Sequence, residues 1–222
     1  DPYQAKQFEA GVKFDAGTFG GGLSVFNIEK ASGILEALTP SDPETDYRYR
    51  ADGKARHKGV EANVFGEPIE GLRVLGGVTW LNAELTKTQD GVNQGKDVIG
   101  APKTQANVNV EWDLPTLKAL TLEGRAVYTS KQYADAANTL EVGSWTRLDI
   151  GARYATEAWG KPLALRARIN NVTNENSWIS AGGYPGAAEF SDAEALWVMA
   201  IGWVASGEIS PAVPAADMAQ FS

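Results

Sequence analysis

Residues 104–113 read Thr-Gln-Ala-Asn-Val-Asn-Val-Glu-Trp-Asp, and Leu114-Pro115-Thr116-Leu117 follows at once. Thr104, Ala106, Val108, Val110 and Trp112 share one parity, while Gln105, Asn107, Asn109, Glu111 and Asp113 share the other. A period of two with one apolar and one polar side is the signature of a β-strand with two distinct faces. In a water-soluble sandwich the apolar face would enter a core and the amide-rich face would meet water. In a membrane barrel the same pattern is inverted: the apolar face meets lipid and the polar face lines the lumen. An aromatic then stands where the strand leaves the hydrocarbon, which is the position of Trp112 beside its turn. One strand fits both arrangements, so the choice rests on the others.

The alternation predicts eight further strands, at 6–15, 19–30, 54–66, 72–87, 120–129, 144–156, 163–169 and 195–205. Phe8, Ala10, Val12 and Phe14 oppose Gln7, Glu9, Gly11 and Lys13, and Val60, Ala62 and Val64 oppose His57, Gly59, Glu61 and Asn63. Leu120, Leu122, Ala126 and Tyr128 oppose Thr121, Glu123, Arg125 and Thr129, and Leu148, Ile150, Ala152 and Tyr154 oppose Arg147, Asp149, Gly151 and Arg153. Residues 19–30 are ambiguous in facing, because Leu23 and Val25 lie on one parity and Phe26 and Ile28 on the other. Short turn-like connections at 15–18, 66–71, 114–117 and 157–162 alternate with long polar loops at 31–52, 88–103, 131–143 and 173–191.

Three regularities favour the barrel. Short and long connections alternate along the whole chain, as they do where tight turns face one side of a membrane and long loops the other. One parity carries Glu61, Asn63, Glu111, Glu123, Arg125, Arg147, Asp149, Arg153, Arg166 and Arg168, a dense lining for a lumen. Aromatics collect at strand ends: Phe14, Phe19, Phe65, Trp112, Tyr154, Trp159 and Trp203 near the short turns, and Trp80, Tyr128, Trp145 and Trp197 towards the long loops. Two such groups are expected as interfacial girdles. The fold expected is therefore all-β, an antiparallel up-and-down meander of about nine strands forming part of a transmembrane β-barrel. The bland alternative is a sandwich whose charged face is simply solvated.

Composition narrows the function classes. A formal net charge of −8 over 222 residues, without a dense basic patch, argues against a nucleic-acid partner. No cysteine is present, which removes disulfides, thiolate metal sites and cysteine nucleophiles. No apolar run has the length of a membrane helix, so a membrane role would use a barrel or surface attachment. The sequence opens at Asp1 without a signal-like segment, which suggests a processed product or a fragment.

Several short motifs now resemble the TonB-dependent outer-membrane receptors, and among them the siderophore receptors. They are Arg56-His57-Lys58-Gly59-Val60-Glu61, the turn 66–71 with Leu72-Arg73-Val74-Leu75-Gly76-Gly77, Gly100-Ala101-Pro102, and Tyr133-Ala134-Asp135 with Asn138-Thr139. Leu148-Asp149-Ile150-Gly151-Ala152-Arg153-Tyr154 and Ile169-Asn170-Asn171-Val172-Thr173-Asn174 continue the likeness in order. The resemblance implies that 1–206 form the C-terminal part of a larger barrel, followed by an irregular tail at 207–222. It implies transport of ferric siderophores across the bacterial outer membrane, with iron present only inside the transported complex and no resident cofactor. Outer-membrane lipid is an implied partner, as is an inner-membrane TonB-type energy transducer reached through a plug domain that this stretch does not contain. By position, Tyr133, Trp178 and Tyr184 are the candidate ligand contacts, with packing in the loops as their plainer role. Family members usually close the last strand on an aromatic, whereas 207–222 run on past Trp203, and 187–191 lack the basic residue expected there.

Catalysis finds little support. His57 stands alone between Arg56 and Lys58, and the carboxylates Glu61, Glu111, Glu123 and Asp149 face arginines with which they would pair structurally. Asp42, Glu44 and Asp46 lack the glycine and distal glutamate of a Ca²⁺ loop. Gly20-Gly21-Gly22 precedes no helix and no Lys-Ser/Thr, so it is not a phosphate loop. The expectation is a transporter and not an enzyme. Its rivals are a soluble all-β ligand- or carbohydrate-binding module and a β-hydrolase with paired carboxylates.

Overall fold

Long two-faced segments satisfy their backbone donors and acceptors against one another, and this chain does so by folding back at each turn. The computed structural model describes residues 4–37, 47–181, 188–191 and 197–203. Within them lie β1 (Ala5–Asp15), β2 (Phe19–Ala37), β3 (Tyr47–Ile69), β4 (Leu72–Lys87), β5 (Thr104–Asp113), β6 (Leu120–Thr129), β7 (Gln132–Tyr133) and β8 (Glu141–Val142). They continue as β9 (Trp145–Ala158), β10 (Lys161–Ile169), β11 (Ser177–Ala181), β12 (Ala188–Ser191) and β13 (Trp197–Trp203). Nine of these make one sheet in the order β1-β2-β3-β4-β5-β6-β9-β10-β13, with β7-β8 and β11-β12 as separate two-stranded pairs in the long loops.

Register converts the alternation into two surfaces. Phe14, Gly21, Val64, Gly76, Val108, Ala126 and Leu148 are consecutive cross-strand partners, an uncharged row across seven strands. One residue along each strand, the row is Gly20, Phe65, Leu75, Asn109, Arg125 and Asp149. The register of β2 resolves the ambiguity of its facing: Leu23 and Val25 pair with Ala62 and Val60 in the outer rows, and Phe26 and Ile28 pair with Gly59 and His57 in the inner ones.

Nothing covers the outer surface. Phe8, Val12, Phe14, Leu23, Val25, Val108, Trp112 and Ile150 are all exposed, and the buried apolar residues among those described are Ala55, Ala83 and Val142. A soluble sandwich needs a core between two layers, and the described residues form a wall one sheet thick. From Leu72 to Trp80 the outer face of β4 runs about 27 Å along the strand, or about 20 Å in height at the usual barrel tilt, near the apolar band of an outer-membrane barrel.

Turn chemistry fits the tight end. Trp159 and Gly160 have φ values of 54° and 71°, the two left-handed residues of a type I′ turn joining β9 to β10. Asp15 accepts the Gly17 N–H at 2.8 Å in the β1–β2 turn. At the other end the hairpin β2–β3 is longer than the alternation predicts: pairing continues to Ala37↔Tyr47, past a register shift between Ser32 and Ile34. The loop expected at 31–52 is thus reduced to 38–46, which lies outside the described residues together with Asp42, Glu44 and Asp46. Two of the other expected loops hold short hairpins, β7–β8 and β11–β12, and 88–103 holds a 3-10 turn at Gln89–Gly91. The expected tail at 207–222 lies outside the described residues.

The two faces predict opposite responses to one substitution. Val108→Arg, at the middle of the outer face, is expected to cost about 2–4 kcal/mol, whereas Asn107→Arg on the inner face costs close to nothing. Equilibrium unfolding of the receptor from phospholipid vesicles checks this, and equal costs for the two variants would contradict the assignment of faces.

Candidate functional site

The inner face is organised by ion pairs and hydrogen bonds that only the sheet register can bring together. Near the tight-turn end, Arg73 on β4 donates to both carboxylate oxygens of Asp113 on β5, at 2.7 and 3.0 Å, and to Glu111 at 3.1 Å. The two-pronged geometry is the strong form of an arginine–carboxylate contact. The Thr121 hydroxyl on β6 donates to Asp113 at 2.6 Å and accepts from Arg153 on β9 at 3.0 Å. Four strands are thereby tied together across two adjacent inner-face rows.

Asp149 on β9 anchors a second group. It is buried, lies 3.3 Å from both Arg147 and Arg168, and accepts the Asn171 backbone N–H at 2.9 Å. Asn171, itself buried, has φ of 52°, and its side-chain amide accepts the Glu175 N–H and donates to the Glu175 carbonyl. This side chain closes the turn that leaves β10. Arg125, Glu123, Asp149 and Arg168 surround a small cavity of about 100 Å³ on this face.

At the long-loop end, 88–103 and 131–143 interlock. The Asn138 amide group accepts the Asp97 N–H at 2.7 Å and donates to the Asp97 carbonyl at 3.0 Å, while Lys103 pairs with Asp97 at 2.9 Å. Asp135 receives the Leu140 N–H, the Thr139 N–H and the Thr139 hydroxyl at 2.7, 2.9 and 2.7 Å. These donors hold its carboxyl below the ordinary value of 3.8.

The expected site residues separate under this geometry. Tyr133 is half-buried in β7, and its carbonyl accepts the Gly100 N–H at 2.9 Å, so it belongs to the interlocked loops. Trp178 lies in β11 and its backbone pairs with Phe190, well apart in sequence from Tyr133; Tyr184 lies outside the described residues. Register sets Phe14, Phe19, Trp80, Trp112, Tyr128 and Tyr154 on the outer face, and Trp159 is 88% exposed on its turn. Trp197 and Trp203 pair with Ile169 and Leu163. Phe65 and Trp145 depart from the expectation: Phe65 pairs with Gly20 and Leu75, and Trp145 with Thr129, all inner-face positions. Nearness to a strand end does not set the face of a side chain, whereas parity does.

His57 occupies an inner-face position opposite Ile28 and Ala83. No group of three or more His, Cys, Asp or Glu able to hold a metal occurs among the described residues. Ion pairing of the inner carboxylates is seen at Asp149 and Glu111, while Glu61 and Glu123 form no ion pair among the described residues. The Asp97–Asn138 clamp has no local signal in the sequence, since 41 residues separate its members.

Arg73→Ala is expected to destabilise the wall by about 1 kcal/mol, held to that size because the pair is partly open to water. A double-mutant cycle with Asp113→Ala should recover most of this as coupling, and additivity of the two single costs would deny the contact. Asp135 makes the loop pH-sensitive. Its lowered folded-state pKa means that the carboxylate stabilises the loop above the ordinary value of 3.8, and that this stabilisation is lost as pH falls through the lower folded value. The amide resonances of Thr139 and Leu140, followed by NMR, should titrate below 3.8 in the wild type and not at all in Asp135→Asn.

The TonB dependent receptor-like β-barrel family matches residues 1–172. A ferrichrome receptor of Yersinia enterocolitica, FcuA, is 43% identical over 176 residues, covering 79% of this chain and 22% of that protein. A probable TonB-dependent siderophore receptor of Acinetobacter baumannii, PiuA, is 30% identical over 193 residues, covering 82% of this chain and 24% of its own length. The crystal structure of BauA, the ferric preacinetobactin receptor of Acinetobacter baumannii, superposes with a TM-score of 0.78 at 38% identity, over 89% of this chain and 29% of that one. The chain thus spans about a quarter of the length of the relatives it matches. With its lipid-type outer face and charged inner face, it belongs to the TonB-dependent receptor β-barrel family of the bacterial outer membrane.

Proposed function

We propose that this chain is a wall segment of an outer-membrane receptor that imports ferric siderophores at the expense of energy delivered from the inner membrane. The observation that carries the reading is the two-faced sheet itself, an uncharged outer surface and a hydrogen-bonded inner one, in a chain 43% identical to a ferrichrome receptor. A wall of this kind separates lipid from a polar path. The energy transducer would act through a plug in the lumen, and the inner face would guide the compact polar ligand past it. Tyr133, Trp178 and Tyr184 are proposed as contacts from the long-loop end, where aromatic faces suit a bulky chelate. Iron enters as cargo within the siderophore. Residues 1–206 would serve as barrel and 207–222 as an appended tail.

Uptake of radiolabelled iron by iron-starved cells tests the reading, with the whole receptor present or deleted and a siderophore panel that includes ferrichrome. Receptor-dependent uptake that stops when the proton gradient is dissipated is expected. Uptake equal in the deletion strain for every chelate would refute it. Tyr133→Ala is expected to raise the concentration for half-maximal uptake several-fold with little change in maximal rate, as for a group that binds without taking part in translocation.

A further inference from the structure

Two ties fasten the hairpin that carries Tyr133 to the upper end of β4. Residues 96–98 lie against that strand as a short antiparallel partner. The Lys96 carbonyl accepts the Leu85 N–H at 2.9 Å and the Val98 N–H donates to the Ala83 carbonyl at 3.0 Å, with Asp97 opposite Glu84. The alternation of antiparallel hydrogen bonds then turns the N–H and C=O of Asp97 to the other edge, away from β4. The Asn138 side chain fills that edge as a peptide group would, accepting the N–H at 2.7 Å and donating to the carbonyl at 3.0 Å. Asn138 stands in the left-handed region at φ 56°, where asparagine is tolerated, and its N–H donates to the Asp135 carbonyl at 3.2 Å. The second tie is direct, from the Gly100 N–H to the Tyr133 carbonyl at 2.9 Å. Between the ties Tyr133 pairs with Glu141, and its neighbours Gln132 and Val142 are buried.

A binding group on a long loop ordinarily loses freedom when its ligand arrives, and affinity falls accordingly. Here that freedom is already restricted, since a chain of hydrogen bonds runs from β4 through 96–98 and Asn138 to the hairpin of Tyr133. We infer that Asn138 is a positioning residue for chelate recognition, holding Tyr133 in place on the barrel wall through the backbone of Asp97. The inference rests on the ligand contact proposed for Tyr133. Both bonds from Asn138 to Asp97 are to the main chain, while the Asp97 carboxylate pairs with Lys103 at 2.9 Å. The clamp therefore survives a change of side chain at 97.

Calorimetric titration of the detergent-purified whole receptor tests it, with ferrichrome and the other ferric chelates of the uptake panel as probes. Asn138→Gly keeps the left-handed backbone and removes the amide. It should weaken binding about three-fold, and by no more than Tyr133→Ala does, because the clamp acts through that residue. Asp97→Asn should leave the affinity unchanged. In the Tyr133→Ala background Asn138→Gly should cost almost nothing further, since a tyrosine that is absent cannot be misplaced. Wild-type affinity in Asn138→Gly would overturn the positioning role. So would an equal loss with and without Tyr133, which is the result of a merely structural clamp. Asn138→Asp, which keeps the acceptor for the Asp97 N–H and loses the donor, is read in the same cycle if the glycine variant is not recovered from the outer membrane. Chelate binding that is equal in the wild type and Tyr133→Ala sinks this inference and leaves the siderophore reading standing. A wild type that binds no chelate of the panel overturns both.

Discussion

Hydrocarbon offers a peptide group no hydrogen-bond partner, so every strand that crosses it must be paired along its length. The rest of this wall follows from that constraint. Antiparallel pairing of each strand of the main sheet with the next, in register for up to fourteen successive residues in β2–β3, meets it with short connections on one side. Once pairing is continuous, the two-residue period forces one parity outward on every strand, and the outward set can only be apolar or small. Close pairing constrains the inner face too, at Gly59 between Phe26 and Leu81. A Cβ there would stand 2.3 Å from the Trp80 carbonyl oxygen and 2.6 Å from the Phe26 ring, so the β3–β4 ladder closes only with hydrogen at that position.

The inner face obeys a different balance. Water can reach it, so charges need not be matched one to one, and like charges do fall opposite each other: Glu111 with Glu123, and Arg153 with Arg166. Such pairs destabilise a sheet modestly unless something opposite covers them. Arg73 supplies that for Glu111, and Thr121 relays Arg153 towards Asp113. Buried Asp149 is the exception that needs full compensation, and it has two arginines and a backbone N–H. A body seated in the lumen, as proposed for the receptor, would meet a surface already patterned into acidic and basic pairs.

The architecture was legible in the sequence because alternation is a direct image of the two environments. Residues 104–113 kept both their limits and their faces, and Leu148 to Tyr154 read correctly from parity alone. Facing failed where position was used in place of parity, at Phe65 and Trp145. The long loops were misjudged for another reason: Gln132–Tyr133 and Glu141–Val142 are too short to show a period, and the polar composition of 131–143 hides the pairing. The Asp97–Asn138 clamp could not be read at all, since nothing local links an aspartate in one loop to an asparagine in the next.

The same backbone constraint bears on how the wall is completed. Among the described residues the sheet ends at β1 on one side and at β13 on the other, and all eleven residues of β1 are exposed. An unpaired edge is unstable in lipid and prone to association in water. Bulges and charges that blunt edges in soluble proteins would not suffice within hydrocarbon, where the cost falls on the backbone and not on the side chains. Both edges therefore call for further strands in register, and relatives about four times the length of this chain have the residues to supply them. Closure, and with it the lumen that gives the inner charges their purpose, is a property of the whole receptor.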